Sequence, residues 1–511
     1  MPSSTNNNGI ALPPLAMENY IDAEKLPQVL GYDPASPLLF NTGLFLILFV
    51  VFIGVYSLLR RFPTAKKIFV ILFSLYFYYK SSAWCCFILL GVCVSDFLLG
   101  QWLGSARKSA VRKLIVWINV VINIGMLVYF KYFNLILDTI SNFGSVKFDA
   151  LDIILPAGIS FFTFRSISYI VDIYRGTIKP CDNFLNYTFY LTFFPPLLAG
   201  PVVRAKDMLP QVEQNPVASR AMVGEGIFLI ISGLIKKVVV ADFISGNFVD
   251  RIFDNPSLYS GFENLMGMYG FMLQLYCDFS GYSDIAIGIA LMLGYRFLDN
   301  FNAPFKAQSP TEFWHRWHIS LSTWLRDYVY IPMGGNRCSK PRAYFNQFST
   351  MVIGGLWHGA SWMYVIWGAI HGFLLVAHKS LKRLFPNLTV DSNVSWWRMT
   401  LNIFLTFNLV AIAFVFFRMR SLEGAAEMAH QIIYDFHPAI APQFIIGYFT
   451  IILALMLGYF MHFMPHRWFT NARDRFIATP FWVQALVLAL VILLIIQVRQ
   501  SDLVPFIYLQ Y

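Results

Sequence analysis

Two histidines in apolar or aromatic surroundings are the residues of this chain best suited to chemistry. His358 lies inside the apolar stretch 351–372, MVIGGLWHGASWMYVIWGAIHG. An ionisable side chain within such a stretch is costly and usually faces a cavity or a partner. His318 lies in segment 311–337, where aromatic residues recur every three or four positions as on one face of a helix. A neutral imidazole can accept the proton of a hydroxyl group that attacks an acyl carbonyl, so these histidines indicate acyl transfer.

Simpler explanations of the histidines stay open. Segment 311–337 predicts an amphipathic helix at a membrane surface, where His315 and His318 would be ordinary interfacial residues. His358 would be structural if it bonded only to a neighbouring helix. A zinc site of three histidines is disfavoured because HxxH without acidic partners is a poor metal signal. The chain contains no GxSxG, Walker or HExxH motif, and we predict neither a metal nor a tightly bound cofactor.

The elements that hold these residues must be membrane helices. Of the 511 residues, 57% are apolar, 17% are aromatic and only 13% are charged, whereas soluble domains carry about 25% charged residues. This composition excludes a soluble multidomain protein, a disordered chain and an outer-membrane barrel. The net charge of +10 follows from basic loops between spans, so we expect no nucleic-acid partner.

A membrane-crossing helix needs about 20 predominantly apolar residues. We predict an all-α polytopic membrane protein with about 11–13 membrane-embedded helices, counting re-entrant segments. The candidate spans are roughly 38–59, 66–80, 84–103, 114–133, 223–244, 264–293, 348–377, 399–418, 443–463 and 481–498, with shorter apolar stretches at 151–164 and 187–200.

Charge in the loops predicts how the chain is oriented. Two loops carry four basic residues each and no acidic ones, and should be cytoplasmic: Arg60, Arg61, Lys66 and Lys67; Arg107, Lys108, Arg112 and Lys113. The basic segments 379–398 and 464–480 should be cytoplasmic as well. We therefore expect a polar extracytoplasmic tail over 1–37, a transmembrane domain over 38–498 and an extracytoplasmic tail over 499–511. The orientation of 134–347 stays undetermined.

Four motifs, in this order along the chain, resemble a known family. They are FFPPLLAGPVVRAKDMLPQ (193–211), YCDFSGYSDIAIG (276–288), RWHISLSTWLRDYVYIPMGGNR (316–337) and GGLWHGASW (354–362). They are similar to segments of membrane-bound O-acyltransferases (MBOAT), specifically the bacterial branch of alginate and peptidoglycan O-acetyltransferases and the teichoic-acid D-alanyl transfer protein. The resemblance covers nearly the whole chain after residue 37.

The resemblance implies roles for individual residues. His358 matches the catalytic histidine of the family, and His318 matches its second histidine position, both near the middle of a central tunnel. It also implies a supporting set around the tunnel: Trp317, Ser322, Asp278, Tyr282, Ser283, Asp284, Trp357 and Asn336. Candidates for a cytosolic donor mouth are Arg204, Arg316, Arg326 and Arg337, for which helix capping or lipid head-group contact is an equal alternative.

The C-terminus, PFIYLQY, resembles an aromatic hexapeptide at the end of many bacterial members. The resemblance implies that Tyr508 could carry the acyl group covalently at the outer mouth. Leu509 and the terminal Tyr511 depart from the family pattern, so Tyr511 is a second candidate. An aromatic anchor at the membrane interface is the simpler alternative.

Together these features predict an O-acyltransferase of the bacterial cytoplasmic (inner) membrane. We expect it to move an acyl group, preferably acetyl, from acetyl-CoA or an acyl carrier protein towards an exported polysaccharide such as alginate, cellulose or peptidoglycan. The resemblance also implies an extracytoplasmic SGNH-type esterase partner, besides the surrounding membrane lipids. The alternatives are direct acylation of a lipid and, less favoured, a transporter without chemistry.

Overall fold

The computed structural model describes residues 29–34, 36–144, 147–385, 395–498 and Phe506. Within these ranges the regular structure is helical and contains no strand. The α-helices are α1 (Gly43–Leu58), α2 (Pro63–Ser82), α3 (Cys86–Ser105), α4 (Ser109–Leu127), α5 (Phe133–Phe143), α6 (Ile159–Arg175), α7 (Phe184–Thr192), α8 (Ala205–Gln214), α9 (Arg220–Leu234), α10 (Asp250–Asp254), α11 (Gly261–Met292), α12 (Pro310–Arg316), α13 (Ile319–Leu325), α14 (Lys340–His358), α15 (Trp362–Leu384), α16 (Trp396–Arg418), α17 (Leu422–Tyr434), α18 (Ala441–Gly447), α19 (Phe449–Phe463), α20 (His466–Ala478) and α21 (Phe481–Val498).

Several helices continue into wider or tighter turns. π-Helical turns lie at Val128–Tyr132, Ile235–Asp242, Ser245–Val249 and Arg326–Tyr330. Short 3₁₀ turns lie at Leu59–Arg61, Ala83–Cys85, Pro256–Leu258, Pro304–Lys306 and Pro438–Ile440.

Long apolar helices identify the chain as a polytopic membrane protein. By length and composition alone, four helical segments of the described residues could cross a membrane: Gly43–Arg61, Pro63–Ser105, Ser109–Asn142 and Trp396–Arg418. A fifth span results if Pro438–Gly447 and Phe449–Phe463, which meet at 93°, count as one broken span. The all-α membrane fold is confirmed, whereas the number of about 11–13 embedded helices stays a prediction.

Most predicted spans correspond to helices, but the span 348–377 is wrong. The structure breaks this apolar run at Gly359–Ser361 and folds it into a hairpin of α14 and α15. The hairpin is tight because glycines lie between the two backbones. A Cβ atom on Gly355 would lie 2.2 Å from the Tyr364 carbonyl oxygen, and one on Gly368 would lie 2.5 Å from that of Met351. His358 therefore lies at the end of a helix, not within one.

The single amphipathic helix predicted for 311–337 is also wrong. Two seven-residue helices, α12 and α13, replace it, and the chain breaks at Trp317 and His318. His318 has φ of 42° and ψ of 56°, a left-handed conformation that is uncommon for residues other than glycine. The predicted aromatic stripe is thus divided between two helices.

Four cations assigned to cytoplasmic loops lie in helices instead: Lys66, Lys67, Arg112 and Lys113. Lys66 and Lys67 belong to α2 and are buried. Lys67 Nζ donates to Asn186 Oδ1 at 2.7 Å, and the Lys66 ammonium lies 5.1 Å from the Tyr56 ring centroid. Because a buried ammonium needs polar or aromatic partners, the contacts of Lys66 and Lys67 connect α2 to neighbouring helices.

Helices α9 and α11 pack in backbone contact. A Cβ atom on Gly226 would lie 2.6 Å from the Gly288 carbonyl oxygen, and one on Gly233 would lie 2.5 Å from that of Gly281. Real side chains do not approach that closely, so the glycines are what permits this crossing. The 32-residue helix α11 carries the GYSD motif along this contact.

The buried apolar residues form two clusters. The first contains Trp357 and Trp324, and the second contains Trp317 and Trp367. Because His358 directly follows Trp357 and also packs against Trp367, the predicted site lies where the two clusters meet.

Candidate active site

The ring of His358 is held among aromatic side chains from three helices. The residue is 3% exposed. Its ring lies edge-on to Trp357 at 5.0 Å between centroids, to Trp367 at 4.9 Å and to Phe417 at 5.2 Å. Edge-to-face contacts at such distances are favourable and orient the imidazole.

One indole connects the two histidines that the sequence singled out. The centroid of Trp357 lies 5.0 Å from that of His358 and 5.9 Å from that of His318. Behind it, Phe164 stacks on Trp357 at 5.5 Å. The structure therefore brings both predicted histidines to one place, although His358 ends α14 and His318 lies in the break between α12 and α13.

Asn300 fixes the orientation and tautomer of His318. Asn300 Oδ1 accepts hydrogen bonds from the Ser320 backbone N–H at 3.2 Å and from Ser320 Oγ at 2.8 Å. This atom is therefore the amide oxygen, and His318 Nδ1, 3.1 Å from it, must donate its proton. The lone pair then lies on Nε2, for which no hydrogen-bond partner occurs among the described residues. A buried imidazole with an available Nε2 lone pair is suited to accept a proton.

Sequence analysis missed Asn300. Its backbone oxygen also accepts from the Ile319 N–H at 2.8 Å, and its Nδ2 donates to Ser283 Oγ at 3.1 Å. These bonds hold the left-handed turn at His318 and connect it to the GYSD motif. Nothing in the surrounding NFNAPF sequence indicated this role.

Two aspartates of the motif 276–288, Asp278 and Asp284, brace helices in the structure. Asp278 pairs with Lys237, which also contacts Asp242 at 2.7 Å. Asp284 pairs with Lys236 at 2.6 Å. Both lysines belong to the π-helical turn after α9, so these ion pairs extend the glycine contact between α9 and α11.

Tyr282 contacts the one described residue of the C-terminal tail. Its ring lies 4.1 Å from the Phe506 ring centroid, edge to face, and 4.9 Å from that of Phe40. The Lys237 ammonium lies 4.5 Å from the Phe506 ring, and Phe506 is 1% exposed. We call the surroundings formed by Tyr282 and Lys237 the Phe506 socket. Tyr508 and Tyr511 lie outside the described residues.

Two cavities flank helix α13. Cavity A has a volume of about 620 Å³ and cavity B of about 830 Å³. Ile319, Thr323 and Arg326 line both, so the helix that begins after His318 forms the wall between them. Ser322 and Asn336 line cavity A, and their place beside a tunnel stays a prediction.

Cavity A is cationic. Its basic lining residues are His315, Arg326, His378, Lys379 and Lys382. None of the described residues lining it is acidic. Sequence analysis missed His378, Lys379 and Lys382 as site residues, because the basic end of α15 was interpreted only as a topology signal.

The predicted arginines separate into different environments. Arg204 and Arg326 line cavity B and both bond Asp327 at 2.7 Å. Burial opposes ionisation of Asp327, but the hydrogen bonds from Arg326 and Arg204 outweigh it and lower the pKa of this carboxyl. Arg316 pairs with Glu312 one turn earlier at 2.8 Å, and Arg337 is exposed. Neither Arg316 nor Arg337 lines cavity A or B.

Both cavities end short of the two imidazoles. Trp314 lines cavity A and contacts Trp367 at 5.8 Å between centroids, and Trp367 in turn contacts His358. Two indoles therefore lie between cavity A and His358. Trp317, 1% exposed, packs against Phe313 and Phe414. A continuous passage through His358 stays a prediction and requires these rings to move.

Comparison with known proteins places these features in a family. Residues 182–419 match the family model of the membrane-bound O-acyltransferases, MBOAT. The probable alginate O-acetylase AlgI of Pseudomonas aeruginosa is 41% identical over 403 residues, which cover 76% of this chain and 74% of that protein. The peptidoglycan O-acetyltransferase of Helicobacter pylori is 34% identical over 76% of this chain and 79% of its own. A teichoic acid D-alanyltransferase of Bacillus subtilis is 28% identical over 51% and 68%.

Proposed function

Because the chain belongs to the membrane-bound O-acyltransferase family, we propose that it O-acetylates a polysaccharide of the cell envelope. Relatives named for alginate and peptidoglycan O-acetylation cover most of the chain, which favours a polysaccharide over a lipid acceptor. The observation that carries the chemical assignment is the contact of both His318 and His358 with the ring of Trp357.

In the proposed reaction, an acceptor hydroxyl attacks the carbonyl carbon of an acetyl thioester. His358 accepts the hydroxyl proton as the new C–O bond forms, while His318, oriented by Asn300, assists through Nε2. The tetrahedral intermediate then collapses, the C–S bond breaks, and the departing thiolate takes the proton. General-base assistance of this kind contributes about 10²–10⁴ in rate. The aromatic surroundings exclude water, which limits hydrolysis of the thioester.

Cavity A is the proposed donor site. Acetyl-CoA and acyl carrier proteins both present phosphate beside a thioester arm, and the cations of cavity A suit such an anion. Lys379 and Lys382 belong to the basic end of α15, which the loop charges assign to the cytoplasm. Arg326 belongs to this site, whereas Arg204 is assigned to holding Asp327.

The C-terminal tail is the proposed route to the outer acceptor. Phe506 is buried in its socket, so the chain that follows it starts from a fixed point inside the protein. Tyr508 lies two residues later and would accept the acetyl group as an ester before an SGNH-type partner transfers it to the polymer. Both termini are then extracytoplasmic, in the bacterial cytoplasmic membrane.

The test compares His358→Ala with His437→Ala in cells that lack the natural protein. His437 is a matched control because its side chain is 68% exposed and pairs only with Asp435 among the described residues. Mass spectrometry should find polysaccharide acetyl esters reduced to background in His358→Ala and unchanged in His437→Ala, at equal amounts of membrane protein. Normal ester content in His358→Ala overturns the mechanism. Loss of a lipid ester with intact polysaccharide esters overturns the proposed acceptor class.

A further inference from the structure

The end of helix α14, where His358 lies, is held by two consecutive residues of another helix. Lys131 Nζ donates to the Trp357 carbonyl oxygen at 2.7 Å and to that of His358 at 3.3 Å. Tyr132 Oη donates to the Leu356 carbonyl oxygen at 2.9 Å. The last four carbonyls of an α-helix have no partner within the helix, and three of them are bonded here from outside.

The charge of Lys131 is favourable at this place. The C-terminus of a helix carries about half a negative charge, and a nearby cation stabilises it. Lys131 lies within Ser109–Asn142, a segment apolar enough to span a membrane, where a lysine is costly unless it has partners. Its further contact, Ser160 Oγ at 3.4 Å, is weak. The carbonyls at the end of α14 are therefore its main partners.

The local backbone brings both side chains to the same target. Lys131 and Tyr132 lie in the π-helical turn Val128–Tyr132 between α4 and α5. Neighbouring residues of a regular α-helix point about 100° apart, whereas a π turn widens the helix and alters that angle. Such turns occur frequently at functional sites.

We propose that Lys131, with Tyr132, is a positioning residue for His358. Lys131 holds the backbone of Trp357 and His358, and the Trp357 ring contacts both imidazoles. Lys131 lines neither cavity A nor cavity B, which separates it from donor binding. The inference rests on the proposed role of His358 and extends it to the group that fixes its position.

The experiment measures acetyl transfer by the purified full chain in proteoliposomes, with acetyl-CoA as the probe donor. The variants are Lys131→Met, Lys131→Arg and Tyr132→Phe, with Lys113→Met as control because Lys113 is an exposed lysine of α4. We expect Lys131→Met to lower kcat about 10- to 100-fold, because misplacing a catalytic group by about 1 Å costs on the order of 10²-fold. KM for the donor should stay within about threefold, since only the alignment changes. Lys131→Arg should recover part of kcat, and Lys113→Met should match the natural protein.

Unchanged kcat in Lys131→Met overturns the proposal, as does a higher KM with kcat preserved, which would make Lys131 a donor contact. If Lys131→Met fails to fold, Tyr132→Phe decides the question: it removes only a hydroxyl, and an unchanged kcat then refutes the positioning role. His358→Ala runs in the same assay. Full activity there defeats the proposed function, whereas an inactive His358→Ala beside a normal Lys131→Met defeats the positioning role alone.

Discussion

Asn300 offers the sharpest test of how the second histidine works. Replacing it with Ala removes the acceptor of the His318 Nδ1–H, of the Ser320 N–H and of Ser320 Oγ. Ser320 lines cavity B, so water can replace the two bonds at Ser320. His318 is 0% exposed, and its Nδ1–H would remain buried without a partner.

The expected loss follows from that one buried donor. An unsatisfied buried polar group costs about 1–3 kcal/mol. His318 can avoid this cost by moving its proton to Nε2 or by rotating its ring, and each change removes the Nε2 lone pair from the site. If the whole cost appears in the transition state, the rate falls about 5- to 150-fold, at 1.36 kcal/mol for each factor of ten.

Asn300→Asp separates this effect from general disruption. A carboxylate still accepts from His318 and Ser320, so it preserves the tautomer while losing only the bond to Ser283. Acetyl transfer per folded protein should therefore rank natural protein, Asn300→Asp, Asn300→Ala. Asn302→Ala is the control because Asn302 is exposed two residues away. Equal activity of the Ala and Asp variants, or full activity of Asn300→Ala, would refute the reasoning.

Four further outcomes are expected. Trp367→Ala should open space beside His358 and leave Trp314 as the one indole before cavity A, which should raise thiol release from acetyl-CoA without acceptor; an unchanged release in the folded variant contradicts this. Phe506→Ala should lower polysaccharide ester content while leaving donor hydrolysis intact, and normal ester content would show that the Phe506 socket is not needed. Asp96→Ala should lower the melting temperature, because three buried donors lose their acceptor at about 1–3 kcal/mol each; an unchanged melting temperature contradicts it. The depressed pKa of Asp327 contributes folding stability that is complete above the ordinary carboxyl pKa and is lost as pH falls through the lowered pKa. In thermal melts, Asp327→Asn should therefore reduce the fall of the melting temperature at acid pH.

The sequence predicted the helices whose position depends on apolar composition. It did not predict the helix breaks that tertiary contacts impose against the local sequence pattern. The length of the apolar stretches alone located five helices to within a few residues: α1, α2, α3, α16 and α21. In lipid, the backbone N–H and C=O groups of a span must form their hydrogen bonds within the helix, so a long apolar stretch predicts a helix. The apolar run 348–377 contains no charged residue to mark a break, so the sequence did not show that it folds into a hairpin. The only signal was local: Ser361, two residues after Gly359, accepts from the Met363 N–H and caps the start of α15.

The site shows the same division. His318 and His358 were recognisable because a histidine among apolar residues is unusual. Asn300 and Lys131 were not, because their roles depend on which distant backbone groups they meet. Likewise, no glycine or proline marks the break at His318. The left-handed turn there is imposed by hydrogen bonds to Asn300, which lies outside segment 311–337.

The glycine contacts of α9 with α11, and of α14 with α15, restrict how any substrate can cross this protein. Helices in direct backbone contact have no intervening side chains that could rearrange to let them slide, so each pair moves as a rigid body. Alternating access by rocking such pairs would separate the very contacts that hold them. In the proposed function an acetyl group instead passes while the scaffold keeps its shape, admitted by the rotation of individual rings, and the speed of ring rotation then sets an upper limit on turnover.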